Sequence, residues 1–139
     1  MNSKYTGNIT ELTVMTSFAK LGYNILIPYG DCERYDFVVD CKGRFIRIQC
    51  KTSSGAKDGS SFNFSGRSSN RSGGKIIHHQ YTKNEIDYFA TSFGEKCYLV
   101  PVEECGSTKR LRLFSTKNAQ LQGVSWAKDY ELEKVVSLW

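Results

Sequence analysis

The sequence predicts an α/β fold in which a mixed β-sheet is flanked by helices. Two runs carry this prediction: 35–40 alternates Tyr, Phe and Val with Asp, Val and Asp, and 46–51 alternates Ile, Ile and Cys with Arg, Gln and Lys. Each run is typical of a strand with one buried face, and 41–44 is the turn between them. Since the chain has 139 residues and 40% of them are hydrophobic, we expect one domain over 1–139.

The other predicted elements follow in chain order. Apolar residues recur at helical spacing over 9–19, and Gly22 follows as a stop, which predicts an opening helix. Residues 24–28 indicate a short strand that leads into the two central strands. Beyond the centre of the chain, we predict strands at 88–91, 98–102 and 110–114 and a closing helix at 126–139.

The segment 53–80 is Ser/Gly-rich and basic. Ser or Gly occupies thirteen of the twenty-two positions of 53–74, so we expect mostly loop, with a short strand at 62–64. No acidic residue occurs from 59 to 80, so the segment can follow a phosphate backbone without repulsion. A solvated surface loop fits this composition equally well. The candidate DNA-contacting residues are Arg67, Arg71, Lys75, His78 and His79.

Composition narrows the class of protein. The formal net charge of +5 favours an anionic partner such as nucleic acid, although it also suits solubility alone. Five cysteines without a Cys-x-x-Cys pair argue against a zinc site or a disulfide framework and favour reduced thiols. No signal-like segment or run of ~18–20 apolar residues occurs. We therefore expect a soluble cytoplasmic protein that has no membrane partner.

The two central strands carry the candidate catalytic residues. Residues two apart in a strand face the same way, so Gln49 and Lys51 can act on one ligand, and Asp36 joins them from the neighbouring strand. Mg²⁺ accepts carboxylate and amide oxygens, and a lysine can orient the attacking water and stabilise phosphoryl charge. This set predicts a metal-dependent nuclease site. The alternatives are a solvated strand residue for Asp36 and an edge-strand charge for Lys51.

With Tyr35-Asp36 in place of Pro-Asp and Gln49-Cys50-Lys51 in place of (D/E)-x-K, the chain resembles the PD-(D/E)xK nuclease superfamily. It is similar in particular to the intron-encoded homing endonuclease branch, in which a Gln-x-Lys version occurs. The resemblance implies a restriction-endonuclease-like core. It covers most of the chain through an ordered set of short segments, 7–11, 28–31, 34–36, 48–52, 86–90 and 97–102.

The resemblance also implies further metal ligands. An acidic residue on the first helix faces the metal in that family, often through water, and Glu11 occupies the matching position after Gly7. The Cys50 carbonyl is implied as another ligand. Gln49 removes one negative charge from the site, and Glu11 would partly restore it. The alternative for Glu11 is an N-terminal capping pair with Asn8, three residues before it.

Together these features predict a site-specific endonuclease that uses Mg²⁺, with Mn²⁺ as a substitute, to hydrolyse phosphodiester bonds in double-stranded DNA. Asp36, Gln49 and Glu11 would organise the metal, and Lys51 would help to position the nucleophile. Cutting two strands requires two sites, so we expect a homo-oligomer, either a dimer or a tetramer. A structure-selective nuclease such as a Holliday junction resolvase and a non-catalytic DNA-binding protein on the same fold are the alternatives.

Overall fold

A five-stranded mixed sheet forms the centre of the computed structural model, which describes residues 1–116, 118 and 121–139. The predicted α/β class is confirmed. Single 3₁₀ turns occur at Val102–Glu104 and Ala127–Asp129. The helices and strands are α1 (Ser3–Lys20), β1 (Asn24–Leu26), β2 (Phe37–Cys41), β3 (Arg44–Cys50), β4 (Ser54–Gly55), β5 (Ser61–Ser65), β6 (Arg67–Ser72), β7 (Lys75–Gln80), β8 (Tyr88–Phe93), β9 (Lys96–Pro101), β10 (Thr108–Arg112) and α2 (Leu132–Val136).

Helix α1 begins earlier than the apolar spacing predicts. The Asn2 side chain caps its first turn by accepting a hydrogen bond from the Tyr5 N–H at 2.9 Å. Asn8 therefore lies inside the helix, and the capping alternative for Glu11 is wrong. The predicted stop is confirmed, because Gly22 directly follows the last turn with a φ of +88°, a conformation that glycine adopts without strain.

Strands β2 and β3 form the predicted antiparallel hairpin. Phe37 pairs with Ile48 and Val39 with Ile46, and all four side chains are buried. The connecting turn places Lys42 and Gly43 at positive φ, as a two-residue hairpin loop requires. Asp36 lies one residue before β2, yet its N–H still donates to the Ile48 carbonyl at 2.8 Å.

The five strands run in the order β1-β2-β3-β8-β9, and β3 and β8 are parallel. Side chains of α1 and α2 share one apolar cluster with β2 and β3, around Phe18 and Ile48. A second cluster, around Phe62 and Phe89, joins this sheet to the small sheet β10-β5-β4. Strand β8, the neighbour of β3, therefore has a packed layer on each face, with Ala90 in the first cluster and Phe89 in the second.

The prediction that 53–80 is mostly loop is wrong. The segment contains four strands, and β6 and β7 form a two-stranded hairpin of their own. Gly73 and Gly74, with φ of +58° and +78°, make the tight turn between them. Backbone pairing rather than a buried face stabilises this hairpin, since every residue of β7 is exposed.

The predicted closing helix at 126–139 is also wrong in extent. The described segment contains one 3₁₀ turn and the five-residue helix α2. Trp126 forms a β-bridge with Arg112, and Glu131 forms one with Tyr98, so main-chain pairing to two strands interrupts the helical path. Among the described residues, no helix has the length and apolar character needed to cross a membrane.

Candidate active site

The ends of two neighbouring strands bring Asp36 and Cys50 together. Asp36 Oδ2 accepts a hydrogen bond from the Cys50 N–H at 2.8 Å. Burial raises the pKa of Asp36 above its usual value, and the Cys50 N–H and the Lys51 ammonium only partly offset this effect. Asp36 is thus a carboxylate that lacks full compensation for its charge.

Glu11 reaches the same place from helix α1. The hydroxyls of Thr10, on α1, and Thr52, just after β3, lie 3.3 Å apart and tie the helix to the end of the strand. Burial raises the pKa of Glu11, and the nearby charge of Asp36 raises it further. Two carboxylates therefore share a partly buried site in which both charged forms are disfavoured.

Gln49 lies beside the main-chain carbonyl that the resemblance implies as a ligand. Its Nε2 donates to the Cys50 carbonyl oxygen at 3.3 Å. The amide torsion of glutamine is broad, and its nitrogen and oxygen have nearly the same shape, so a half-turn presents Oε1 in place of the nitrogen. The Gln49 oxygen and the Cys50 carbonyl can then face one cation together.

Lys51 extends from the end of β3 toward the β6–β7 hairpin. Its Nζ donates to the Arg67 carbonyl at 2.8 Å and lies 5.0 Å from the centre of the Tyr81 ring. Burial lowers the pKa of Lys51, Asp36 opposes this shift and Arg34 reinforces it. An ammonium has three donors, so this contact leaves others for a phosphate.

The residues of this site fit a hard divalent cation. Among the described residues, no three His, Cys, Asp or Glu side chains form a group that could hold a metal. The candidate donors are instead all oxygens: the carboxylates of Glu11 and Asp36, the amide of Gln49 and the carbonyl of Cys50. Mg²⁺, Mn²⁺ and Ca²⁺ accept such a set, and a cation here would relieve the disfavoured charge of the two carboxylates.

The five predicted DNA-contacting residues all lie on β6 and β7, but they do not share one face. The cross-strand pairs place Arg67, Arg71 and His78 on one face of the hairpin and Lys75 and His79 on the other. Four of the side chains are exposed, whereas Arg67 is half-buried at the base of the hairpin. Local contacts orient the histidines: His78 Nδ1 lies 2.7 Å from Ser69 Oγ, and His79 Nε2 lies 3.3 Å from Asn70 Oδ1.

Arg34 and Tyr81 lie beside the site although neither is among the predicted site residues, and Arg34 enters the sequence prediction only within the segment 34–36. Tyr81 directly follows the last strand of the hairpin. The Arg34 guanidinium carbon lies 3.8 Å from the centre of its ring. Arg34 precedes Asp36 by two residues, and this proximity in the chain is the signal that could have drawn attention to it.

Known proteins resemble this chain at the level of family and of fold. Residues 1–133 match the model of a family described as PD-(D/E)XK endonuclease. Among solved structures, the chain is similar to a bacterial homing endonuclease, I-Ssp6803I, with a TM-score of 0.81 and 23% sequence identity. That match covers 99% of this chain and 94% of the other, so the two proteins share their fold over nearly their whole lengths. No curated protein matches the chain.

Proposed function

Because the chain belongs to the PD-(D/E)XK endonuclease family, we propose that it is a divalent-metal-dependent endonuclease that hydrolyses phosphodiester bonds at specific sites in double-stranded DNA. One observation carries the proposal: Glu11 and Asp36 share a partly buried site, with raised pKa values, at the end of the strand that carries Gln49 and Lys51. Two such carboxylates beside a lysine favour a cation and an anionic substrate at the same place.

In this proposal Asp36, the Gln49 oxygen and the Cys50 carbonyl would hold Mg²⁺ or Mn²⁺, and Glu11 would reach it directly or through water. When bound, the cation supplies a Lewis acid that offsets phosphate charge and makes water a better nucleophile. The Cys50 N–H fixes the Asp36 carboxylate, and the Thr10–Thr52 contact fixes the position of Glu11 along the site.

In addition to the metal ion, the side chain of Lys51 supplies positive charge to the proposed site. Its ammonium would donate to a non-bridging phosphate oxygen, where negative charge grows during hydrolysis. Because burial lowers the pKa of Lys51, this residue also releases a proton more readily than an exposed lysine. In its charged form Lys51 can orient the attacking water, and in its neutral form the amine can accept a proton from that water.

The β6–β7 hairpin is the proposed DNA-reading element. Six residues at roughly 3.4 Å each give each strand a reach of about 20 Å, and a two-stranded ribbon fits the major groove, which is about 12 Å wide. Arg71, Lys75, His78 and His79 line its exposed part, and no carboxylate side chain lies on it. We propose phosphate contacts for the cations and contacts to phosphates or base edges for the histidines.

I-Ssp6803I, whose fold this chain shares, is a bacterial homing endonuclease, and we propose the same class of activity here. Cutting both strands of a duplex requires two copies of the site. A homo-oligomer, as a dimer or a tetramer, would supply them by matching its symmetry to related half-sites.

The test is to incubate purified protein with Mg²⁺ and a genomic DNA pool and to sequence every new end. Lys51→Ala is the variant, and Lys20→Ala, at the exposed far end of α1, is the matched control. We expect ends clustered at one long sequence with wild type and Lys20→Ala but absent with Lys51→Ala. Ends that persist at the wild-type rate in Lys51→Ala would refute its role. No ends from any protein, on duplex or branched DNA, would favour a non-catalytic DNA-binding protein.

A further inference from the structure

The base of the β6–β7 hairpin is held on both of its strands by cations that belong to the active-site region. Arg67 and Gln80 form the first cross-strand pair of this hairpin. Lys51 Nζ donates to the Arg67 carbonyl at 2.8 Å, and an Arg34 terminal nitrogen donates to the Gln80 carbonyl at 2.9 Å. The residue pair from which the hairpin extends is thus fastened to the site at two points.

Arg34 makes the larger share of this attachment. One terminal nitrogen lies 3.1 and 3.0 Å from the two carboxylate oxygens of Glu85, and the other donates to Ser68 Oγ at 2.6 Å. The face of the guanidinium lies over the Tyr81 ring, 3.8 Å from its centre. Lysine cannot reproduce this set, because it has neither a planar fork nor a flat face.

The same contacts lead to the catalytic groups. The Tyr81 ring packs edge-on against Phe89 at a centroid distance of 5.3 Å, and Phe89 is the β8 partner of Gln49. Lys51 lies over the Tyr81 ring as well, at 5.0 Å. Tyr81 therefore connects the hairpin, Arg34 and the end of β3 through direct contacts.

We propose that Arg34 is a positioning residue that fixes the DNA-reading hairpin relative to the metal site and so selects which phosphodiester bond is cut. This inference rests on the proposed nuclease function. An enzyme that reads bases with one element and cuts with another must hold the two at a constant separation. Both terminal nitrogens of Arg34 are engaged within the protein, so its effect on cleavage passes through the hairpin.

The chain offers a matched control in Arg47. Its guanidinium binds the Asp87 carboxylate at 3.1 Å and the carbonyls of Lys83 and Asn84 at 2.7 and 2.6 Å. The Arg34 and Arg47 side chains are 27% and 28% exposed, so the two arginines differ little in burial. Both arginines bind the segment that follows the hairpin, Arg34 through Glu85, but of the two only Arg34 also binds the hairpin itself.

The test compares wild type with Arg34→Lys, Glu85→Gln and Arg47→Lys. Hydrogen–deuterium exchange of peptides covering 67–80 reports the attachment without DNA, and thermal unfolding reports stability. End sequencing at single-nucleotide resolution, DNA affinity and the single-turnover rate at saturating DNA report function. Glu85→Gln is the milder variant, since it removes the charge that holds Arg34 while keeping an acceptor oxygen.

For Arg34→Lys we expect faster exchange in the hairpin stem, ends spread over neighbouring phosphodiesters and a rate lower by up to about 100-fold, the typical effect of a 1 Å misplacement. DNA affinity should change by less than about threefold, since phosphate contacts dominate affinity and the exposed cations of the hairpin remain. Glu85→Gln should shift the same readings less. Arg47→Lys should lower the unfolding temperature similarly but leave the hairpin exchange and the cut position unchanged.

Unchanged hairpin exchange in Arg34→Lys, or ends as sharply placed as in Arg47→Lys at equal stability, would overturn the proposal. If wild type cuts no DNA while Arg34→Lys still loosens the hairpin, the attachment stands, and it is the nuclease function that has failed.

Discussion

Replacing Gly66 with alanine should disturb the active site from a buried residue outside the set of candidate ligands. Gly66 joins β5 to β6, and its N–H donates to the Ser107 carbonyl at 2.9 Å. A Cβ at this position would overlap the Gly106 carbonyl oxygen and lie 2.6 Å from Cys105 Sγ. The overlap with main-chain atoms leaves little room for a side chain to rotate away.

The size of the effect follows from these distances. Real Cβ contacts keep about 3.0 Å, so the chain must move by about 0.4 Å to clear the sulfur at 2.6 Å and by more to clear the carbonyl. Arg67 is the residue after Gly66, and its carbonyl accepts the hydrogen bond from Lys51. A movement of Gly66 therefore reaches the catalytic lysine. Overpacking of this kind costs about 1–3 kcal/mol of the free energy of unfolding. A displacement approaching 1 Å lowers a reaction rate by up to about 100-fold.

The assay is chemical denaturation together with the single-turnover cleavage rate at saturating DNA. Gly106→Ala is the control, because a Cβ there meets no atom within 4 Å. We expect Gly106→Ala to behave like wild type in both measurements. A Gly66→Ala protein with wild-type stability and rate would refute the argument that links this glycine to Lys51.

Three further predictions concern the metal, the carboxylates and the hairpin. Gln49→Glu adds a third carboxylate, so it should lower the stability of the metal-free protein and strengthen Mg²⁺ binding, read as Mg²⁺-dependent thermal stabilisation; weaker binding would contradict the assigned ligand. Since the pKa of Asp36 is raised, wild type should gain stability relative to Asp36→Asn as pH falls from neutral toward 3.8, the usual value, and equal pH profiles would exclude this effect. Arg71→Gln combined with Lys75→Gln should reduce the salt slope of DNA affinity by about 1.8, and an unchanged slope would remove both from the DNA interface.

The central strands were predictable because each has one buried face. The opening helix was predictable from its apolar spacing, although Ile9 and Leu12 within that spacing are exposed. Ile46 and Ile48 are buried and alternate with Arg47 and Gln49, and this alternation fixes which way Gln49 and Lys51 point. The spacing of the candidate ligands is therefore local information, and the sequence alone contains it.

The hairpin and its attachment were not predictable in the same way. Strand β7 buries neither face, so its sequence has no alternation of apolar and polar residues. The Gly73-Gly74 pair, which is typical of a tight turn, was the available signal of a hairpin. Arg34 meets Ser68, Gln80 and Glu85, which are 34 to 51 residues away along the chain. Such contacts depend on the completed fold, since no local pattern records them.

Mn²⁺ binding, followed by electron paramagnetic resonance, tests most directly whether Asp36 binds the metal and Lys51 acts in cleavage without binding it. We expect wild type and Lys51→Ala to bind the ion, Asp36→Asn not to bind it, and both variants to lose DNA cleavage. Binding by Asp36→Asn with wild-type affinity would contradict the assignment of this carboxylate as a metal ligand and with it the proposed site.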